Sequence, residues 1–375
     1  MNRKEVSEIK KVVKPENPYC TLNKLFITMV NAEGVEVFTK NPSVLTLSDR
    51  ETDMYYKIFK NMLSTNVGKN FIQYDFEKEA FNPGRAQDTL YSVLSGGFNN
   101  EEQVNAFRNR IVENLIYTGP YAIITGYFTY TVRHRNKADE VDGFSDEDFN
   151  FMLTAICPAN IVDSGFSYNN QSGEFSTESD PKLYISSKPT DGFMFPAFDN
   201  RSSDISSIMY FAKKPGDLNT SMVLDVLMTN FEISPVAETE LFHSVIKGTF
   251  GEKLDYQLVL LINDALIEYI QNFTSETKPI KLGKLELSNI IENVATEEEL
   301  ERFKSLYDAV CDNIRFDVVN LISKKMKLQT SEYSLSFNCI YGSKVTAKVV
   351  DSMRAIQLTT EDNLLDVNGV VVSMK

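Results

Sequence analysis

The densest grouping of chemically capable side chains lies between Asp191 and Gly216, in DGFMFPAFDNRSSDISSIMYFAKKPG. Here Asp199, Asn200, Arg201, Ser202, Ser203 and Asp204 bring two carboxylates, an amide, a guanidinium and two hydroxyls into consecutive positions. The planar fork of Arg201 can grip one phosphate or carboxylate through two charge-assisted bonds. Asp199 and Asp204 can orient that fork or hold a hydrated Mg²⁺. Lys213 and Lys214 return to the same edge if Ile205 to Phe211 forms a strand and the chain then turns back. The same residues also fit a polar turn, with Asp199 bonding backbone amides and Arg201 paired to Asp204. A ligand site requires that these side chains converge on one concave pocket; a turn does not.

Other apparent motifs fail on spacing. Gly68-Lys69 lacks the glycine five positions earlier and the following Ser or Thr of a phosphate loop, since Leu63 and Asn70 stand there. The acidic run from Asp139 to Asp148 puts Ala138 and Glu140 at the first and third places of a calcium loop, which breaks the ligand pattern. Glu297-Glu298-Glu299 reads as a helix start, where negative charge meets the positive end of the dipole. Two histidines, His134 and His243, and four scattered cysteines build no zinc site. The sequence therefore assigns no catalytic residue and no metal ligand, and it leaves the cofactor open.

Composition narrows the class. With 42% hydrophobic and 24% charged residues the chain is globular, and 375 residues suffice for two or three domains. Its net charge of −14 disfavours nucleic acid, because counterion release needs a basic face. The tightest basic cluster, Arg133, His134, Arg135 and Lys137, is cancelled by Asp139, Glu140 and Asp142. Cys20, Cys157, Cys311 and Cys339 lie far apart with no CxxC spacing, and three sit among apolar neighbours, which predicts free thiols in a reducing cytoplasm. The charged opening has no signal-peptide core, and no apolar run approaches the ~20 residues of a membrane span. A protein partner or self-association stays open.

Periodicity then supplies the elements that must carry the Asp199 to Asp204 cluster. It predicts helices over Met1–Lys14, from Ser48 (with Glu51 completing a capping box), over Gln87–Leu94 and over Glu101–Tyr117. Strands are expected at Thr21–Val30 and Val35–Thr39 as a hairpin, at Phe71–Phe76, and at Tyr121–Val132 as a central strand. A further helix is expected from Ser145 to Cys157. Phe166–Asp180 reads as a strand, a loop and a strand, and Pro181–Ile185, Gly192–Phe198 and Ile205–Phe211 read as extended. Helices follow at about 218–229, 237–248, 254–272, 285–294 and 297–328, and strands return from Tyr333 to Val372. The expectation is an α+β fold: residues 1–216 as a mixed domain, 217–330 helical, and 331–375 a small β region.

Several blocks together resemble a bacterial family known as domain of unknown function 4317. They are the opening MNRKEVSEIKK, VGKNF at Val67–Phe71, AICPANIVDSGFSY at Ala155–Tyr168, GFMFPAFDNRSSDISSIMYFAKKP at Gly192–Pro215, and VNG at Val367–Gly369. The resemblance implies a soluble bacterial protein of about this size and supplies no catalytic residue. Two function classes follow: a non-enzymatic binding or assembly protein, and a phosphate- or nucleotide-handling protein built on the Asp199–Asp204 turn.

Overall fold

Tyr121–Val132, rich in β-branched and aromatic residues, forms the strand on which the first part of the molecule is built. The computed structural model describes residues 1–132, 147–162, 165–169, 174–178, 182–231, 233–272, 280–311, 314–350, 353–367 and 370–373. The basic cluster at 133–137 and most of the acidic run that follows it lie outside these residues. Among the described residues the chain divides into two compact units, the first running from Met1 to Ala237 and the second beginning at Glu238.

In the first unit the strands are β1 (Cys20–Val30), β2 (Glu36–Lys40), β3 (Phe71–Asp75), β4 (Tyr121–Val132) and β5 (Glu147–Val162). They continue with β6 (Gly165–Asn169), β7 (Glu174–Glu178), β8 (Lys182–Ile185), β9 (Asp191–Phe195), β10 (Ala197–Asp199), β11 (Ser202–Asp204) and β12 (Ser207–Ala212). One sheet runs β2-β1-β4-β5-β9-β12-β3, with β8 also paired to β5, and its neighbours are all antiparallel. β6–β7 and β10–β11 are separate two-stranded hairpins.

Helices cover both faces. On one, α1 (Arg3–Val12) and α2 (Asp49–Leu63) bury Val6, Ile9, Phe59 and Met62 against Ile124, Phe128, Phe151 and Leu153. The expected Ser48–Glu51 capping box is present on α2. On the other, α3 (Ala86–Ser95), α4 (Glu101–Asn114) and a π-helical turn (Ser221–Val226) pack on Tyr121, Ile123, Met152 and Ile156. The fold is α+β, an antiparallel sheet between two helical layers.

Three expected elements differ. The helix expected from Ser145 to Cys157 is instead strand β5, paired along its length with β4 from Tyr121↔Pro158 to Val132↔Glu147. Because helices cover both faces, β5 buries nearly every residue from Phe151 to Cys157, so its sequence is a continuous apolar run without strand alternation. The helix expected over 218–229 is only the short π-turn. The chain passes Pro215-Gly216, where composition changes, and stays in the first unit to Ala237.

The second unit contains α5 (Pro235–Phe250), α6 (Tyr256–Asn272), α7 (Lys284–Ile291), α8 (Glu297–Cys311) and α9 (Val318–Leu321). Their core gathers Phe242, Leu266, Leu287, Phe303, Tyr307 and Phe316. The expected 297–328 helix breaks after α8, because Phe316–Asp317 (β14) pairs with Lys281–Leu282 (β13). Three hairpins follow: β15 (Lys325–Gln329) with β16 (Ser334–Asn338), β17 (Val345–Val350) with β18 (Met353–Leu358), and β19 (Leu364–Val367) with β20 (Val370–Ser373).

Within this unit Glu238, in the first turn of α5, is buried. Its Oε2 accepts from Asn320 Nδ2 at 2.6 Å and from the Asp317 amide at 3.3 Å. Burial outweighs these bonds and pushes its carboxyl up to about 7.

Candidate functional site

The Asp199 to Asp204 segment forms the β10–β11 hairpin. Asn200 and Arg201 occupy its two-residue turn with φ of 50° and 59°, the double left-handed geometry of a type I′ turn. This geometry turns Arg201 towards α1. Arg201 Nη2 donates to Glu8 Oε1 at 2.9 Å, and the Tyr130 hydroxyl donates to the same oxygen at 2.8 Å. Glu5 ties the turn down as well: its Oε1 accepts from the Asn200 amide at 2.8 Å, while its Oε2 accepts from the Asn2 amide at the N-cap of α1.

Asp204 is bonded within its own turn. Its Oδ1 accepts from the Ser206 amide at 3.0 Å and from the Ser206 hydroxyl. Burial pushes its carboxyl up, but the bonds from Ser206 and Ser207 win and hold it below the usual range. Ser202 is exposed. Lys213 and Lys214 follow β12, whose six residues at ~3.3 Å each separate them from Asp204 by roughly 20 Å. Lys213 is held by its backbone amide on Thr190 O, and exposed Lys214 lies 3.8 Å from Asp217. The structure thus groups Asp199, Asn200, Arg201, Ser202 and Asp204 on one hairpin and puts both lysines at the far end of the strand.

A concave site lies elsewhere, between α4 and the β2–β1–β4 corner of the sheet. It encloses about 400 Å³. Its floor follows from strand register: Thr28 on β1 stands opposite Thr39 on β2 and Ile123 on β4, and Phe26 stands opposite Thr125. One stripe of α4 forms a wall, with Glu101, Val104, Asn105 and Arg108 at three- and four-residue steps. Phe98, from the α3–α4 connection, and Phe107 close it.

The connection is built to present Phe98. α3 ends in a Schellman pair, with the Phe98 amide donating to Val93 O at 3.0 Å and the Gly97 amide to Leu94 O at 2.9 Å. Gly97 has φ 60°, which costs it nothing. Phe98 follows at φ 57°, a left-handed conformation that is costly for a bulky side chain. Lys24 Nζ secures it by donating to Phe98 O at 3.0 Å. The ring stacks on Phe26 at 5.0 Å and meets Phe107 edge-on at 6.2 Å.

The polar groups of the cavity adjoin one another. Arg108 Nε lies 2.8 Å from Glu36 Oε2, an ion pair whose geometry is not that of a hydrogen bond. Glu36 Oε1 accepts from the Thr39 hydroxyl at 2.8 Å, and Thr39 is 3.0 Å from the hydroxyl of buried Thr28. On the floor Thr125 shares a hydrogen with Thr154 at 3.0 Å. Asn105 and exposed Asn41 line the cavity with no hydrogen bond among the described residues.

The sequence reading missed this site because none of its residues forms a motif. Its one local signal is the threonines at 28, 39, 125 and 154, which interrupt apolar strand faces. A second buried polar group, Asp191, is already satisfied. Tyr210 donates to its Oδ1 at 2.6 Å and in turn accepts from the Asn219 amide at 3.2 Å, while burial pushes the Asp191 carboxyl up.

Fold and cavity together define an α+β protein with an open, small-molecule-sized hollow and no assembled catalytic constellation among the described residues. The chain belongs to the family described as Domain of unknown function (DUF4317), whose family model matches residues 1–370. No curated protein matches it.

Proposed function

We propose that the protein is a non-enzymatic binding protein whose ligand occupies the cavity between α4 and the β2–β1–β4 corner. The observation that carries this reading is the cavity itself. Its ~400 Å³ falls within the range of small-molecule pockets, and its walls combine aromatic rings with a few directed polar groups. The strained Phe98 supports it, since backbone strain in bulky residues gathers where a ligand is clamped. The alternative, phosphate or nucleotide handling at the Asp199–Asp204 turn, has less support. There Arg201 already spends its charge on Glu8, and Lys213 and Lys214 lie a strand's length away.

We further assign the protein to a reducing bacterial cytoplasm. Four unbridged cysteines support this, and among the described residues no helix is long and apolar enough to cross a membrane.

Self-association or a protein partner is a second reading, favoured by hairpin β19–β20. Adjacent Val370 and Val371 point to opposite faces, yet are 62% and 61% exposed. A lone two-stranded hairpin is marginal in water, and both faces of this one are open. Light scattering of wild type and Val371→Lys tests it: an oligomer dissociated by the change supports assembly, and a monomeric wild type removes it.

The binding reading is tested by thermal-shift screening of ring-bearing fragments against wild type and Asn105→Trp, in which the new indole fills the cavity mouth. The expected result is stabilisation of wild type alone. Hits that stabilise both proteins equally, or no hits, contradict it.

A further inference from the structure

We infer that the cavity takes a flat ring compound, not an anion, that donates an N–H or O–H to Thr28; this rests on the cavity being the ligand site.

The direction of the hydroxyl chain carries the argument. A carboxylate only accepts, so the Thr39 hydroxyl must give its proton to Glu36 at 2.8 Å. In the Thr28···Thr39 contact at 3.0 Å the proton is therefore supplied by Thr28. A threonine has one hydroxyl proton, and this assignment spends it. The Thr28 oxygen is left with lone pairs only, on the floor of the cavity and 4% exposed as a residue. A ligand donor there adds a second hydrogen bond to Thr28, beyond the one it makes with Thr39.

Charge bears on anions. Arg108 Nε lies 2.8 Å from Glu36, so these two charges offset one another, and Glu101 on the same wall opposes an anion. Ring shape is set by Phe26, Phe98 and Phe107, whose faces and edges suit an aromatic guest. The amides of Asn105 and Asn41 offer both donors and acceptors for heteroatoms at its outer edge.

The test is an NMR titration of the full chain with three probes. Benzimidazole and 1-methylbenzimidazole differ by the N–H donor, and benzoate tests an anion. Benzimidazole is expected to bind up to about tenfold more tightly than the other two, as one hydrogen bond predicts. Thr28→Val, which keeps the shape and removes the acceptor, should erase the gap between benzimidazole and its methylated form. Equal binding of that pair to wild type, or tighter binding of benzoate, overturns this inference and leaves the cavity as a ligand site. If no probe binds and the fragment screen also finds nothing, both readings fall.

Discussion

Glu238→Gln should flatten the pH dependence of the second unit's stability and raise stability at alkaline pH. In the folded chain burial pushes the Glu238 carboxyl from 4.5 to about 7, despite the bonds from Asn320 and the Asp317 amide. A carboxyl with a raised folded pKa binds its proton more tightly in the native state than in the unfolded one. Its protonated form is therefore favoured by folding, and stability falls as pH rises from about 4.5 to about 7, then levels. At about 1.4 kcal/mol per pH unit, the cost at pH 8 is bounded at about 3 kcal/mol. Urea unfolding of wild type and Glu238→Gln at pH 5 and pH 8 reads the effect. The variant should match wild type within about 1 kcal/mol at pH 5 and exceed it by up to about 3 kcal/mol at pH 8. An equal stability difference at both pH values would refute the reasoning.

Three further outcomes follow from packing and pairing. Gly192→Ala puts a Cβ 2.4 Å from Thr154 O and 2.7 Å from Met62 Cε, so urea unfolding should show a loss of about 3 kcal/mol; a loss below about 1 kcal/mol contradicts the close approach of β9 and β5. Arg201→Lys breaks a half-exposed pair with Glu8, so it should cost about 1 kcal/mol or less, and inorganic phosphate should shift the melt of neither protein. A phosphate shift present in wild type and lost in the variant would return the β10–β11 turn to the status of an anion site. Thiol titration in denaturant without reductant should count four, from Cys20, Cys157, Cys311 and Cys339; a count of two or none contradicts a reducing compartment.

Local signals carried much of the architecture. The Ser48 capping box, the β1–β2 hairpin and strand Tyr121–Val132 are each specified by neighbours in sequence, and all three stand where their residues predict. β5 was not legible, because burial on both faces removes the alternation that marks a strand, and the acids before it imitate a helix start. The Asp199–Asp204 segment was legible as a turn, but its partners, Glu5 and Glu8, are almost two hundred residues away in α1, beyond any local pattern. The cavity was hidden for a related reason. Thr28, Thr39, Thr125 and Phe98 come from four different elements, and only sheet register and the left-handed Phe98 bring them together. The α4 stripe of Glu101, Val104, Asn105 and Arg108 is mixed in character, so hydrophobic periodicity takes up only Val104, together with Phe107 and Ile111, and passes over its polar members.

Amide chemical-shift mapping of the full chain, titrated with benzimidazole, tests the cavity most directly. The account predicts saturable shifts concentrated at Thr28, Phe98, Asn105 and Arg108, and their loss in Asn105→Trp. Shifts that centre on Asn200 and Arg201, or that survive unchanged in Asn105→Trp, would contradict it.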